Sequence, residues 1–140
     1  MLLEEIVNEF EECPFLHHLG LEVIRFEEGN VRIKLSMKDC LLNTNKTLHG
    51  GVYASVLDFI QSMQLRSVTK TRCVTTTSTI HYIAPVTGGV LFAEAEIISK
   101  GYKTAFVEGT ITDQEGKLVA KGTGTFKLIY PANTDKGEKR

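Results

Sequence analysis

The chain has 140 residues, of which 42% are hydrophobic and 24% charged, so we expect one globular domain rather than a disordered chain. Its formal net charge of −1 and the lack of a long apolar run argue against nucleic acid or a membrane as partner. An acidic N-terminus and three scattered cysteines (Cys13, Cys40 and Cys73) predict a cytoplasmic protein without a disulfide framework or a metal site.

The first part of the chain predicts a short helix followed by a β-hairpin. Apolar residues at helical spacing place a helix over residues 1–13, and Pro14 ends it. Residues 21–26 read as a strand, and residues 31–37 alternate cleanly between apolar and polar side chains, with turn residues between the two segments. Residues 39–48 have the composition of a loop.

The rest of the chain predicts one long helix and four strands. Residues 51–66 are apolar on most sides, which is typical of a buried helix. The predicted strands cover residues 73–84, 89–99, 103–113 and 118–129. An α+β domain over residues 1–130, with one central helix and about six antiparallel strands, follows from this order. One helix covers only one face of such a sheet, so we expect uncovered apolar residues to meet a partner chain. Residues 131–140 are polar and predict a disordered tail.

The entry to the long helix is the first feature that suggests chemistry. Gly50 and Gly51 stand at its start, where another group can approach the backbone closely. The first N–H groups of a helix have no internal partner and lie at the positive end of its dipole. They can therefore stabilise a carbonyl oxygen that becomes an oxyanion. The alternative is that both glycines only fit a tight loop before the helix.

Asp58 is the second such feature, because its neighbours in the sequence are almost all apolar. We expect a carboxylate that has lost water and needs either a partner or a function. The alternative is a structural aspartate satisfied by hydroxyl or amide groups. Asp58 lies about 12 Å along the same helix from Gly50, at ~1.5 Å per residue. If both groups act on one substrate, they come from two chains paired with antiparallel helices.

These residues resemble a known family. Asn43, the run His49-Gly50-Gly51 and Asp58 are similar to the signature of hotdog-fold acyl-CoA thioesterases of the phenylacetate-degradation (PaaI) type. The likeness extends over residues 14–128. It includes Pro14-Phe15, Leu19-Gly20-Leu21 and residues 80–85, 101–106 and 119–123.

The resemblance implies a long helix wrapped by an antiparallel sheet, in a homodimer or a dimer of dimers with active sites at the dimer interface. It implies that the Gly50 N–H binds the thioester carbonyl and that Asp58 of the other subunit acts as general base or as nucleophile. Asn43 would orient the thioester or the water. His49 would support the loop or contact the substrate near its sulfur. The resemblance also places Gly51 among the residues that contact coenzyme A.

The resemblance also implies a hydroxyl that supports the carboxylate or the water. Thr75 stands nearest that place, with Thr76 and Thr77 as alternatives. Lys46 stands where many relatives have glycine, so the loop is expected to differ. Lys46 and Lys103 are the candidates for contacts with the phosphates of coenzyme A, against the alternative of ordinary solvated lysines.

The sequence therefore predicts an acyl-CoA thioesterase that needs no cofactor, because coenzyme A is part of the substrate. A non-catalytic acyl-CoA binding or regulatory module on the same fold is the main alternative. A hydratase or dehydratase would need a histidine paired with a carboxylate as acid and base, and a purely structural module would not depend on Asp58. The sequence leaves the acyl group open.

Overall fold

The computed structural model describes residues 1–131. Its elements are α1 (Leu3–Glu11), α2 (Pro14–Leu19), β1 (Leu21–Glu27), β2 (Asn30–Ser36), a 3-10 turn (Asp39–Leu41), α3 (Gly50–Thr69), β3 (Arg72–Tyr82), β4 (Val90–Lys100), β5 (Thr104–Asp113) and β6 (Leu118–Ile129). The predicted helix, hairpin and later strands are confirmed. The short helix α2 was not predicted. Beyond Pro131, the predicted tail lies outside the described residues.

The six strands form one antiparallel sheet in the order β1-β2-β4-β5-β6-β3. Helix α3 runs across one face of this sheet and buries eleven of its residues, including Leu57, Ile60 and Met63. This arrangement is the hotdog fold, and it confirms the predicted α+β class. No helix in residues 1–131 is long and apolar enough to cross a membrane.

Glycines on β5 and β6 allow α3 to lie close to the sheet. A Cβ atom on Gly109 would lie 3.1 Å from Leu57 Cδ2, and one on Gly122 would lie 3.1 Å from Leu57 Cδ1. At Gly124 the same atom would lie 2.3 Å from Gln61 Oε1. Larger residues would push the helix away from the sheet, so these glycines set the position of α3.

Ion pairs join helix α1 to both ends of the turn between α3 and β3. Glu9 on α1 pairs with Arg66 at 2.9 Å and also with Arg72 on β3. The Arg66 guanidinium, which is buried, donates to the Thr71 carbonyl and lies 5.3 Å from the centre of the Phe10 ring. The pairing of Glu9 with both arginines fixes α1 against the C-terminal half of α3.

The two edges of the sheet differ. β1 is irregular, with a register shift between Val23 and Arg25, and carries charged residues. β3 is longer and pairs only with β6, and residues 74–80 on it are uncharged. On the outer face of the sheet, Ile98 and Phe106 remain 48% and 40% exposed. The expected uncovered apolar residues are therefore present, while a partner chain stays a prediction.

Candidate functional site

The loop before α3 is organised by one side chain. Asn43 Oδ1 accepts hydrogen bonds from the N–H groups of Asn45 at 2.8 Å and Thr47 at 3.1 Å, while Asn43 Nδ2 donates to Thr47 Oγ1 at 3.0 Å. Lys46 has φ = 65°, the left-handed conformation that glycine adopts most easily. The lysine thus takes the conformation that suits glycine, and the expected difference of this loop from that of relatives stays a prediction.

At the start of α3, the two glycines differ in their hydrogen bonds. His49 is the N-cap residue, and its Nδ1 accepts from the Gly51 N–H at 2.8 Å. The carbonyl oxygen of His49 accepts from the Val52 N–H at 2.9 Å, as expected for a helix start. Within residues 1–131, no acceptor lies within hydrogen-bonding distance of the Gly50 N–H. Gly50 thus offers a free donor at the helix N-terminus, whereas the Gly51 donor is already used.

Gly50 lines a cavity of about 290 Å³ between the loop, α3 and the end of β3. Asn43, Thr47, Leu48, Gly50, Tyr53, Tyr82, Ile83, Ala84 and Pro85 line the cavity. The Tyr53 hydroxyl donates to the Ala84 carbonyl at 2.9 Å, and burial raises the pKa of Tyr53, which keeps it protonated. The Tyr82 ring lies edge-on to Tyr53, with ring centres 5.7 Å apart, and covers Gly50.

Asp58 belongs to a different part of the surface. Its carboxylate is exposed in this chain, so the expectation that it has lost water is wrong for the single chain. The Thr75 hydroxyl on β3 donates to Asp58 Oδ1 at 2.6 Å. The Thr76 hydroxyl instead donates to the Thr125 carbonyl at 3.0 Å. Of the three candidate threonines, Thr75 is the one hydrogen-bonded to the carboxylate in the described part of the chain.

Cys73 lies on the same strand near this carboxylate. The pKa of the Cys73 thiol is raised to about 11, mainly by burial. The charge of Arg66 lowers this pKa, and the charge of Asp58 raises it. The thiol therefore stays protonated near neutral pH and is a poor nucleophile. The Asp58 carboxylate beside it can accept a proton from water.

The two groups of residues do not meet within one chain. Asp58 is absent from the lining of the cavity at Gly50 and lies about 12 Å further along α3, at ~1.5 Å per residue. Lys103 is also distant from that cavity, because it lies in the turn between β4 and β5, at the opposite end of the sheet. Lys46 is exposed in the loop beside Asn43. The chain therefore presents a donor site and a carboxylate site separately.

Sequence reasoning missed the two tyrosines of the cavity. Tyr82 ends β3, and the alternation along that strand does not indicate that its ring turns toward the start of α3. Tyr53 falls on α3 among apolar residues and resembles an ordinary core residue there. Among the described residues, no group of three histidine, cysteine, aspartate or glutamate side chains could hold a metal ion.

Comparison with known protein families adds a decisive observation, because residues 45–120 match the family model of the thioesterase superfamily. The chain belongs to the thioesterase superfamily. The matched region begins in the Asn43 loop, contains all of α3 and reaches into β6. It includes Gly50, Asp58 and Thr75, so both groups of candidate residues lie within the part that defines the family or at its border.

The similarity of this thioesterase to known proteins extends over nearly its whole length. "Putative esterase SSO1253" of Saccharolobus solfataricus is 28% identical over 137 residues, 96% of this chain and 91% of that protein. The medium/long-chain acyl-CoA thioesterase YigI of Salmonella typhimurium is 24% identical, covering 82% and 85%. The structure of the Escherichia coli PaaI protein superposes with a TM-score of 0.83 at 24% identity, covering 93% and 97%. The protein is a thioester hydrolase with a hotdog fold.

Proposed function

We propose that this thioesterase hydrolyses acyl-CoA thioesters at sites shared by two copies of the chain. In each site, Gly50 of one copy binds the thioester carbonyl and Asp58 of the other activates water. The observation that carries this proposal is the separation of the two groups along α3. Two antiparallel copies of the helix would place each Asp58 opposite the other copy's Gly50. The name of the Salmonella relative supports an acyl-CoA substrate.

The chemistry follows from the two groups. Asp58, positioned by Thr75, accepts a proton from water, and the water oxygen forms a bond to the thioester carbon. The carbonyl oxygen becomes an oxyanion that accepts a hydrogen bond from the Gly50 N–H at the positive end of α3. Collapse of this intermediate breaks the carbon–sulfur bond, and the thiolate of coenzyme A leaves and is protonated. A direct attack by Asp58 would give an anhydride that water then hydrolyses.

The remaining candidate residues support this site in different ways. Asn43 holds the loop through three hydrogen bonds and has one amide hydrogen left for the thioester or the water. His49 uses Nδ1 to cap the helix, which favours the role of supporting the loop over direct substrate contact. Lys46 and Lys103 remain candidates for the phosphates of coenzyme A. Because Lys103 lies at the far end of the sheet, it would serve a substrate bound mainly by the partner copy.

The first experiment measures thiol release with a disulfide reagent across acetyl, medium-chain, long-chain and phenylacetyl thioesters of coenzyme A. The parent should turn over at least one of them, and Asp58→Asn should lose activity by orders of magnitude while keeping its fold. Turnover by Asp58→Asn at the parent rate would exclude the assigned role. Binding without turnover by the parent would favour the acyl-CoA binding module instead.

A mixing experiment tests whether the site is shared. Asp58→Asn and Gly50→Pro each remove one half of the site, and each is expected to be nearly inactive alone. After unfolding and refolding together, random pairing makes about half of the dimers mixed, and each mixed dimer has one complete site. About a quarter of the parent activity should return. Activity that stays at the level of the separate variants would show that each chain completes its own site. The arrangement of a dimer of dimers remains a separate prediction.

A further inference from the structure

The two tyrosines that line the cavity differ in their hydrogen bonds. Within the described residues, the Tyr82 hydroxyl has no hydrogen-bond partner, and its side chain is 57% exposed. The neighbouring Tyr53 hydroxyl is instead committed to the Ala84 carbonyl. The two rings contact each other edge-on, and the polar end of Tyr82 extends beyond this contact.

This free hydroxyl lies beside the free backbone donor at the start of α3. A Cβ atom on Gly50 would lie 3.4 Å from Tyr82 Cε1 and 3.8 Å from the Tyr82 hydroxyl oxygen. Since the nitrogen and Cβ position of one residue are about 2.5 Å apart, the hydroxyl lies within about 6.3 Å of the Gly50 nitrogen. One oxygen atom that accepts from both an N–H and an O–H joins donors up to about 5.6 Å apart. A small rotation of the exposed Tyr82 side chain brings both donors to one acceptor.

We infer that the Tyr82 hydroxyl is a second catalytic donor, which binds the thioester carbonyl together with the Gly50 N–H. This inference rests on the proposed function, because it needs a thioester in the cavity. The hydroxyl keeps its proton and donates a hydrogen bond that strengthens as the carbonyl oxygen gains negative charge. Two donors from one chain complete the oxyanion site before the carboxylate of the other copy is involved.

Two analogues separate carbonyl recognition from hydrolysis. S-(2-oxooctyl)-coenzyme A keeps a carbonyl but contains no thioester bond, and S-octyl-coenzyme A contains neither. Titration calorimetry with Tyr82→Phe should show about 3- to 10-fold weaker binding of the ketone and unchanged binding of the thioether. Tyr53→Phe is the matched control, since it removes a hydroxyl bonded to the backbone. It should lower the free energy of unfolding and preserve the parent's preference for the ketone over the thioether.

Kinetics provide the second measurement. On the thioester that the parent hydrolyses best, Tyr82→Phe should lower kcat by about 100-fold with KM nearly unchanged. Equal affinity of Tyr82→Phe and the parent for the ketone, with equal kcat, would refute the role of Tyr82 and leave the proposed function intact. If the parent binds neither analogue and hydrolyses no thioester, both proposals fail.

Discussion

Replacement of Gly50 by proline would remove the proposed oxyanion donor while leaving the helix intact. Gly50 is the first residue of α3, the position at which proline is best tolerated. His49 has φ = −66° and ψ = 139°, the extended conformation that a residue before proline prefers. The N–H that proline removes has no acceptor among residues 1–131, so no internal hydrogen bond is lost. We expect the free energy of unfolding to change by less than about 1 kcal/mol.

The effect on hydrolysis should be much larger. Loss of one oxyanion donor costs about 2.7–4 kcal/mol of transition-state stabilisation, which lowers kcat by about 100- to 1000-fold. The proline ring would also occupy the space in front of the nitrogen, so substrate binding is measured as well. Steady-state thiol release gives kcat and KM, and urea unfolding followed by circular dichroism gives the stability.

Gly50→Ala is the control for this change. Alanine keeps the N–H and adds the same Cβ, which meets Tyr82 Cε1 at an ordinary contact distance of 3.4 Å. We expect kcat of Gly50→Ala to stay within about 10-fold of the parent, well above Gly50→Pro. Equal losses in both variants would trace the effect to the added carbon, and full activity in Gly50→Pro would refute the donor role.

Three further predictions concern other parts of the chain. Thr75→Val should lower kcat by about 10- to 100-fold, because it removes a hydrogen bond to a carboxylate, whereas Thr76→Val should not lower it. Lys46→Gly should raise the free energy of unfolding, measured in urea, by about 1 kcal/mol, because glycine has no Cβ to strain the left-handed conformation. An unchanged free energy of unfolding would contradict this reason. Gly122→Ala should lower the free energy of unfolding by about 1–3 kcal/mol, because its Cβ would lie 2.9 Å from a backbone oxygen. Gly88→Ala is the control: its Cβ would lie in open space, so the free energy of unfolding should change by less than about 0.5 kcal/mol.

The order of elements could be predicted from the sequence because most follow clear periodicities, but two local features could not. The sequence pattern marks Pro14 as the end of a helix, and it does follow α1. It is also the first residue of α2, since the fixed φ of proline suits a helix start as well as it interrupts a helix interior. The left-handed conformation of Lys46 has no signal in the lysine itself, because lysine rarely adopts it.

The burial of Asp58 was predicted wrongly for a geometric reason. Its apolar neighbours Leu57 and Phe59 adjoin it in sequence, but adjacent residues of a helix point in directions about 100° apart. Leu57 faces the sheet, while Asp58 lies on the exposed side of α3. The choice of Thr75 over its neighbours was also not fixed by alternation, since the register of β3 shifts between Thr75 and Thr77.

The unequal edges of the sheet have a consequence for the predicted pairing of two copies. Residues 74–80 of β3 are uncharged, and a second β3 in antiparallel orientation can pair with this edge. The outer strand β1 is bent by its irregular register and carries Glu22, Arg25 and Glu27, features that discourage a further strand from adding. A pair joined through β3 would leave the irregular, charged β1 as the outer strand at both ends of the combined sheet. Such a pair would not grow further, because neither β1 edge favours the addition of a third copy.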